Sequence, residues 1–557
     1  MLSKRKFLIS FFVLVLIIVL AGFVWSAFIN SGSDPTIQIK LDEKKVTMES
    51  SGFSFKPIDT RTRKGIKSTD TEHSYEVIGK LSKVGDLTIT IRKLDNGDQF
   101  IFNQFAGTGF TSKTLPLQLS LNNVDSYDFY DFSEEEFVRE HDNTYGVDYV
   151  TNVKGLYELK ENDQTKYQLY LSQNIISKEL TQSYTENNKS TLRDFIAEDT
   201  NLHISDIKNE KGENDGIQFK LTLTTDDKNQ LSENWFLISK EELFSDEEVL
   251  VNYKNETNHN YLHTPKWNTA DGNYTKLPWS IEPGTELGYG RNLVAMQDKT
   301  SLKYYTETKE RFFYDMVINS INHLENFRNS KDTLWETEYT STWLKKDYGI
   351  TAPYTDTRHN ENIALFLTQA GKELGIQEIE NSYLLYADFL AKQKQRGNVI
   401  ETENGYYIAD YYSENQMKKT HVSLNHALGE MNFLLQTYED SQNQEYLDTA
   451  FMIKKAVEDT GKDWINSKNG NLWYQIDANY TFEGDDYPTL TLVDLTKSIT
   501  LFTEMEIPFD PVWIDLIESK IDFIIENNIE VKNTTIDQLK QLGIAEKIYD
   551  YTNTTDI

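Results

Sequence analysis

The chain has 557 residues, no cysteine and a formal net charge of −32, from 88 acidic and 56 basic side chains. That charge repels a phosphate backbone and excludes nucleic acid as a partner. The missing thiols exclude disulfides, thiolate metal sites and cysteine nucleophiles. The length allows several domains, and 32 Tyr and 9 Trp suit a large core or a sugar-facing surface.

Lys4, Arg5 and Lys6 precede Phe7–Phe28, a run of 22 uncharged, mostly apolar residues. A helix needs about 20 such residues to cross the hydrocarbon of a bilayer. Basic residues on the short N-terminal side keep that side cytoplasmic. The expectation for residues 1–30 is an uncleaved, single-pass membrane anchor with the C-terminal domains outside the cell; a cleaved signal peptide is the rival reading.

Residues 31–257 read as a β-rich extracellular domain. "DLTITIRKL", "DQFIFNQF" and "IQFKLTLTTDD" alternate with period two. Asn96-Gly97 between two such runs is a hairpin signal. Two stretches, Ser133–Glu140 and Ser183–Asp199, look helical. Residues 258–302 differ again, rich in Pro, Gly, Trp and Tyr, and read as an ordered aromatic loop linking two domains.

From residue 303 to 557 the period becomes 3.6. Helices are predicted near 309–329, 359–374, 378–396, 423–439, 444–466, 491–505 and 510–528. Paired helices joined by Tyr-rich connections suggest an α/α toroid, an incomplete barrel of helical hairpins. The fold class is therefore α+β: membrane helix, β-rich domain, helical toroid.

Within the helical part, "SLNHALGEMNFLLQTYEDSQNQEYLDTAFMIKKAVED", "GNLWYQ" and "DDYPTLTLVDLTKSITLF" follow one another. This order resembles the C-terminal domain of glucuronyl C5-epimerases over about residues 305–530. The family has Glu before the Tyr of its Tyr-Pro-Thr turn, where this chain has Asp486. The resemblance implies an active-site acid–tyrosine pair at Asp486 and Tyr487 and a hexuronic-acid polysaccharide as substrate.

Asp486-Tyr487-Pro488-Thr489 also reads as a helix start, with Asp486 or Thr489 capping and Pro488 fixing the approach. The catalytic reading needs a base and a phenol of lowered pKa on opposite faces of one carbon. In Pro353–Asn362, Asp356, Arg358, His359 and Glu361 cluster ahead of a helix. The plain reading is a capping box with Thr357 as N-cap. In the other, Arg358 and Tyr354 bind substrate, Arg358 gripping a carboxylate, and Asp356 and His359 act as acid or base. His426 and Glu430 share a helix face behind His421 and Asn425; a core histidine is commoner there than a metal ligand. His259 and His263 sit in a loop, a weak pair.

Trp267, Tyr274, Trp279, Tyr289 and Arg291 enrich the linking loop. They serve either as domain glue or as a sugar platform, with Arg291 on a carboxylate. No nucleophile elbow, Walker loop, dinucleotide fingerprint or H-E-x-x-H occurs, and no cofactor or metal is called for. The expectation is a membrane-anchored carbohydrate-active protein that inverts C5 of hexuronic acid residues. The alternatives are a hydrolase or lyase using a carboxylate pair such as Asp356 and Asp486, and a non-catalytic binder of envelope polysaccharide.

Overall fold

A computed structural model describes residues 34–555, apart from 42–43, 81, 110–111, 134–135, 141–146, 152–154, 200–201, 228, 260–265, 278–279, 329 and 331. The anchor candidate, His263 and Trp279 lie outside the described residues. Among those described, no helix is long and apolar enough to cross a membrane. The chain divides into two compact units: one runs to residue 182 and resumes at 191–327, the other comprises 183–190 and 328–557.

The first unit is a sandwich of two sheets. Thr36–Leu41, Lys44–Glu49, Lys113–Asn122, Asn214–Thr225 and His203–Lys208 form a five-stranded sheet in that order. The second sheet has 13 strands, with Gln230–Ser239, Gln99–Gly107, Lys83–Leu94, Ser68–Ile78 and Ser54–Gly65 following one another across it. In Lys113–Asn122, Leu115, Leu117, Leu119 and Leu121 are buried and the residues between them are not. They meet Ile89, Ile101, Phe105, Phe236 and Ile238 of the larger sheet in one core, the face-to-face packing that period-two strands require. The Asn96-Gly97 turn joins Lys83–Leu94 to Gln99–Gly107 as expected, with Gly97 at φ +97°.

Among the described residues, three helices belong to this unit: α1 (Glu247–His259), α2 (Lys299–Thr308) and α3 (Arg311–Phe327). Phe312 of α3 packs edge-on against Tyr170 of the large sheet at 4.9 Å. Arg92 is fully buried on that sheet and donates to Asp70 at 2.8 Å and to Asn319 of α3 at 2.6 Å.

Three local expectations are corrected. Residues 136–140 are a strand paired with Val147–Thr151. Ser183–Asp199 is a turn and a strand, Lys189–Asp199: Ser190 and Leu192, then Arg193 and Phe195, are buried two positions apart, and the Thr185 hydroxyl bonds with Asn188 at the turn. Helix α1 interrupts a segment whose pattern reads as β. The linking segment is also not a loop throughout: Trp267–Thr269, Gly272–Lys276 and Gly288–Gly290 extend one edge of the 13-stranded sheet.

The second unit carries α4 (Thr342–Tyr348), α5 (Thr357–Leu374), α6 (Gln377–Glu380), α7 (Tyr383–Ala391), α8 (Leu424–Ser441), α9 (Gln444–Thr460), α10 (Leu490–Glu504), α11 (Val512–Glu526) and α12 (Asn533–Leu542). The expected 378–396 helix is broken at Asn381-Ser382. Helix α8 is buried nearly all round from Leu424 to Leu435, because α5, α9 and α10 all pack on it. Its neighbours pair as hairpins, α8 with α9 and α10 with α11. Short strands lead into α5 and α8: Tyr354–Asp356 and Val422–Ser423.

Candidate functional site

Asp356 closes the strand ahead of α5 and is its N-cap, in place of Thr357: its Oδ1 accepts from the His359 amide at 3.0 Å. Its Oδ2 stands 3.6 Å from His359 Nδ1. Thr357, now the first helical residue, is fully buried, and its hydroxyl lies 2.9 Å from His426 Nδ1 on α8. The Thr357 amide donates to the carbonyl of Asp410 at 3.0 Å, which ties α5 to the loop before α8.

Asp410 is the centre of the arrangement. It is fully buried, and its carboxylate accepts from the Ser423 amide at 2.9 Å and from the Ser423 hydroxyl. His421 Nε2 lies 3.3 Å from one carboxylate oxygen and His426 Nδ1 lies 3.8 Å from the other. Burial alone would raise this carboxyl. The His426 and His421 imidazoles and the Ser423 hydroxyl outweigh it and hold Asp410 below the usual range. The far side of His421 faces Tyr348, with Nδ1 3.2 Å from the phenol oxygen. Burial, chiefly, keeps the Tyr348 phenol protonated well into the alkaline range.

Aromatic rings surround this group. Trp343 lies 5.6 Å from both Tyr411 and His421, and Tyr474 is 6.0 Å from His421. Tyr487 meets Tyr474 edge-on at 5.7 Å and is 45% exposed. Lys418 places its ammonium 5.1 Å above the Tyr348 ring. Tyr354 is buried against Tyr411, 6.0 Å away, and its phenol is pushed up by burial.

Arg358 is engaged from both sides. Its Nη2 donates to both oxygens of Asp494 at 3.0 Å, and its Nη1 to Glu361 at 2.8 Å. One guanidinium thus serves two buried carboxylates, and burial pushes Asp494 up to about 7 despite the ion pair. Gly429 of α8 makes the room: a Cβ there would stand 1.8 Å from Arg358 Nη1.

The two residues of the expected catalytic pair have different surroundings. Asp486 is buried, accepts from the Thr491 hydroxyl at 2.6 Å and pairs with Lys520 of α11 at 2.6 Å. Lys520 also donates to Asn471 at 2.8 Å and to the Tyr487 carbonyl at 2.7 Å. Burial pushes Asp486 up and Lys520 down, each against its partner's pull. Thr489 makes no capping bond through its side chain. The Tyr487 phenol is pushed up, by burial first and by Asp356, Asp410 and Asp486 after it; the expected lowered phenol is not found.

In the first unit, Trp267 and Tyr289 are buried in a cluster with Tyr274, Ile175 and Phe195. Trp267 stacks on Tyr274 at 4.9 Å, and the rings pack on each other within this unit. Arg291 lies over the Phe327 ring at 4.8 Å and donates to the Asp271 carbonyl at 3.1 Å. His259 ends α1, and its side chain is not among those described. Asp410, Tyr348, Trp343, Tyr411, Tyr474 and Asp494 were not singled out from the sequence. The signal for some of them was the aromatic run "YYIADYY" around Asp410.

No family model matches the sequence, and no curated protein matches it. Among solved structures the chain is similar to a family 76 glycoside hydrolase (mannosidase) from Bacteroides thetaiotaomicron, at 14% identity and TM-score 0.30 over 41% of this chain and 58% of that one. It is similar to a cellobiose 2-epimerase from Bacillus thermoamylovorans at 11% identity and TM-score 0.33, over 42% and 58%. A D-mannose isomerase aligns at 14% identity and TM-score 0.34 over 51% and 70%. The chain thus spans 58% of the length of each of the first two.

Proposed function

We propose that the chain is a carbohydrate-active enzyme that moves a proton at a sugar carbon, the reaction class of an epimerase, in a helical unit of the α/α toroid type. The observation that carries this reading is the linked set Tyr348–His421–Asp410–His426 beneath an aromatic rim. A buried carboxylate between two imidazoles orients both rings and steadies either one when it gains a proton. Imidazole exchanges protons near neutral pH. Tyr348, kept neutral, donates a proton, and His421 behind it takes up and returns one. The flat faces of Trp343, Tyr411 and Tyr487 suit stacking on pyranose rings.

The finer form of this proposal is inversion at C5 of hexuronic acid residues in an acidic polysaccharide, where the proton lies α to a carboxylate. Tyr487 supplies the phenol on one face. An imidazole of the Asp410 pair takes the part the resemblance gives to Asp486, which Lys520 already holds. Lys418, exposed above Tyr348, meets the substrate carboxylate, since Arg358 is spent on Asp494 and Glu361. Phe7–Phe28 anchors the chain in the cell membrane with this unit outside, and protease on intact cells then digests the region beyond Ser31.

Full-length protein incubated with glucuronate-containing glycans in heavy water tests the reading. Deuterium appearing at C5 in the product spectrum supports it. Binding without any carbon-bound deuterium overturns it. New reducing ends without deuterium at C5 would instead mark the chain as a glycoside hydrolase.

A further inference from the structure

Lys520 of α11 is fully buried, and Asn471 and Asp486 beside it are buried too. A buried ammonium is costly unless each of its three protons finds an acceptor. Here all three do. Lys520 Nζ donates to Asp486 Oδ2 at 2.6 Å, to the Tyr487 carbonyl at 2.7 Å and to Asn471 Oδ1 at 2.8 Å. The pair with Asp486 alone would tie the turn to the helix. The other two bonds reach two separate segments, and each segment carries one tyrosine of the aromatic rim.

Asn471 stands just ahead of the strand Trp473–Ile476, which holds Tyr474. The Asn471 oxygen that takes the ammonium proton also accepts from the Leu472 amide at 2.8 Å, so the grip extends to the main chain. The strand pairs with Phe482–Asp485, Trp473 opposite Asp485, and Asp486 and Tyr487 follow directly. Ser519, next to Lys520 on α11, donates its hydroxyl to the Gly470 carbonyl at 2.7 Å and secures the first segment again. The Tyr474 and Tyr487 rings then meet edge-on at 5.7 Å, and Tyr474 lies 6.0 Å from His421. We infer that Lys520 is a positioning residue of the site, its ammonium setting the Tyr474–Tyr487 pair against His421 by holding both segments at once. This rests on the proton-transfer reading above, in which Tyr487 supplies the phenol on one face.

Lys520 touches no substrate in this scheme. The reason for a lysine is shape. An ammonium directs three protons to three corners of a tetrahedron, one for each acceptor. A guanidinium directs its protons within one plane and holds a carboxylate in a fork. Lys520→Arg therefore keeps the charge and the partner Asp486 while giving up the three-way grip. A buried ion pair contributes little net stability over apolar residues of the same volume. What this pair contributes is the placement of two rings.

Lys520→Arg in the full chain is the first test. NMR on protein with ring-labelled tyrosine reads the Tyr474–Tyr487 contact without any substrate, the cross-peak being assigned by its loss in Tyr487→Phe. The inference predicts a weakened cross-peak in Lys520→Arg. On glucuronate-containing glycans it predicts a kcat for deuterium uptake lower by about tenfold to a hundredfold, with KM unchanged. Asn471→Ala removes only the bond toward Tyr474 and serves if Lys520→Arg does not fold; it weakens the same cross-peak and lowers kcat in the same direction. A lysine that is only structural lowers the melting temperature and leaves the cross-peak and kcat of the folded variants as in the wild type, and that result overturns the inference. So does a weakened cross-peak with unchanged kcat. A weakened cross-peak beside a wild type that exchanges no sugar proton leaves the placement of the rings standing and removes the epimerase reading.

Discussion

Lys520 Nζ and Asp486 Oδ2 stand 2.6 Å apart with both side chains removed from solvent, whereas the adjacent Tyr487 is 45% exposed. Two neighbours in the chain therefore do different work. Asp486 fastens the Tyr-Pro-Thr turn to α11, and Tyr487 reaches the aromatic rim.

Removing one partner of a buried pair leaves the other charged and unpaired. Lys520→Met is expected to cost about 3–5 kcal/mol in denaturant unfolding. Asp486→Asn costs stability in the same assay, since Lys520 then lacks its carboxylate. Asp486→Asn protein with unchanged unfolding and turnover reduced a hundredfold would return Asp486 to the role of base.

Gly429→Ala drives a methyl group into Arg358 and Glu361. Overpacking of this kind costs about 1–3 kcal/mol. The expected signs are a lower melting temperature and a disturbed Arg358 side-chain resonance. A variant that melts with the wild type contradicts the close approach of α8 to Arg358.

Asp494 carries a pH prediction. Its carboxyl is raised in the folded chain, to about 7. A raised acid contributes stability that is complete below its unfolded pKa and is lost as pH rises through the folded one. Asp494 thus weakens the fold progressively from about pH 4 to pH 7, at about 1.4 kcal/mol per unit. Asp494→Asn should flatten the decline of melting temperature between pH 5 and pH 8. A steeper decline in the variant would show that the carboxylate, with Arg358, is the stabilising form there.

Much of the helical unit was legible because its periods are long and regular. Helices α8, α9 and α10 begin within a residue or so of their expected starts, with an apolar stripe marking each. The Asn96-Gly97 hairpin was equally plain. Short segments were not: Lys189–Asp199 mixes polar and apolar residues, and only its pairing in the sheet decides its form. The site was half visible. His359, Arg358 and Asp356 drew notice as titratable groups near a helix start, but nothing in sequence spacing says that Arg358 meets Asp494, 136 positions on. Asp410 was hidden because a lone acid among tyrosines has no motif, and its partners arrive from α5 and from the loop and helix after it.

Tyr487→Phe removes an exposed phenol and should leave unfolding almost unchanged, within about 1 kcal/mol. If that phenol transfers the proton on one face, turnover falls by about 10²–10⁴-fold. Unchanged turnover would reduce Tyr487 to a stacking surface for the sugar.

The most direct measurement is deuterium uptake from heavy water at the sugar carbon, compared between wild type and Asp410→Asn. The carboxylate orients His421 and His426 and touches no substrate itself. The account predicts C5 exchange in the wild type and a loss of about 10²-fold or more in Asp410→Asn, with glycan binding retained. Equal exchange rates in the two proteins would contradict an acid–base centre built on Asp410.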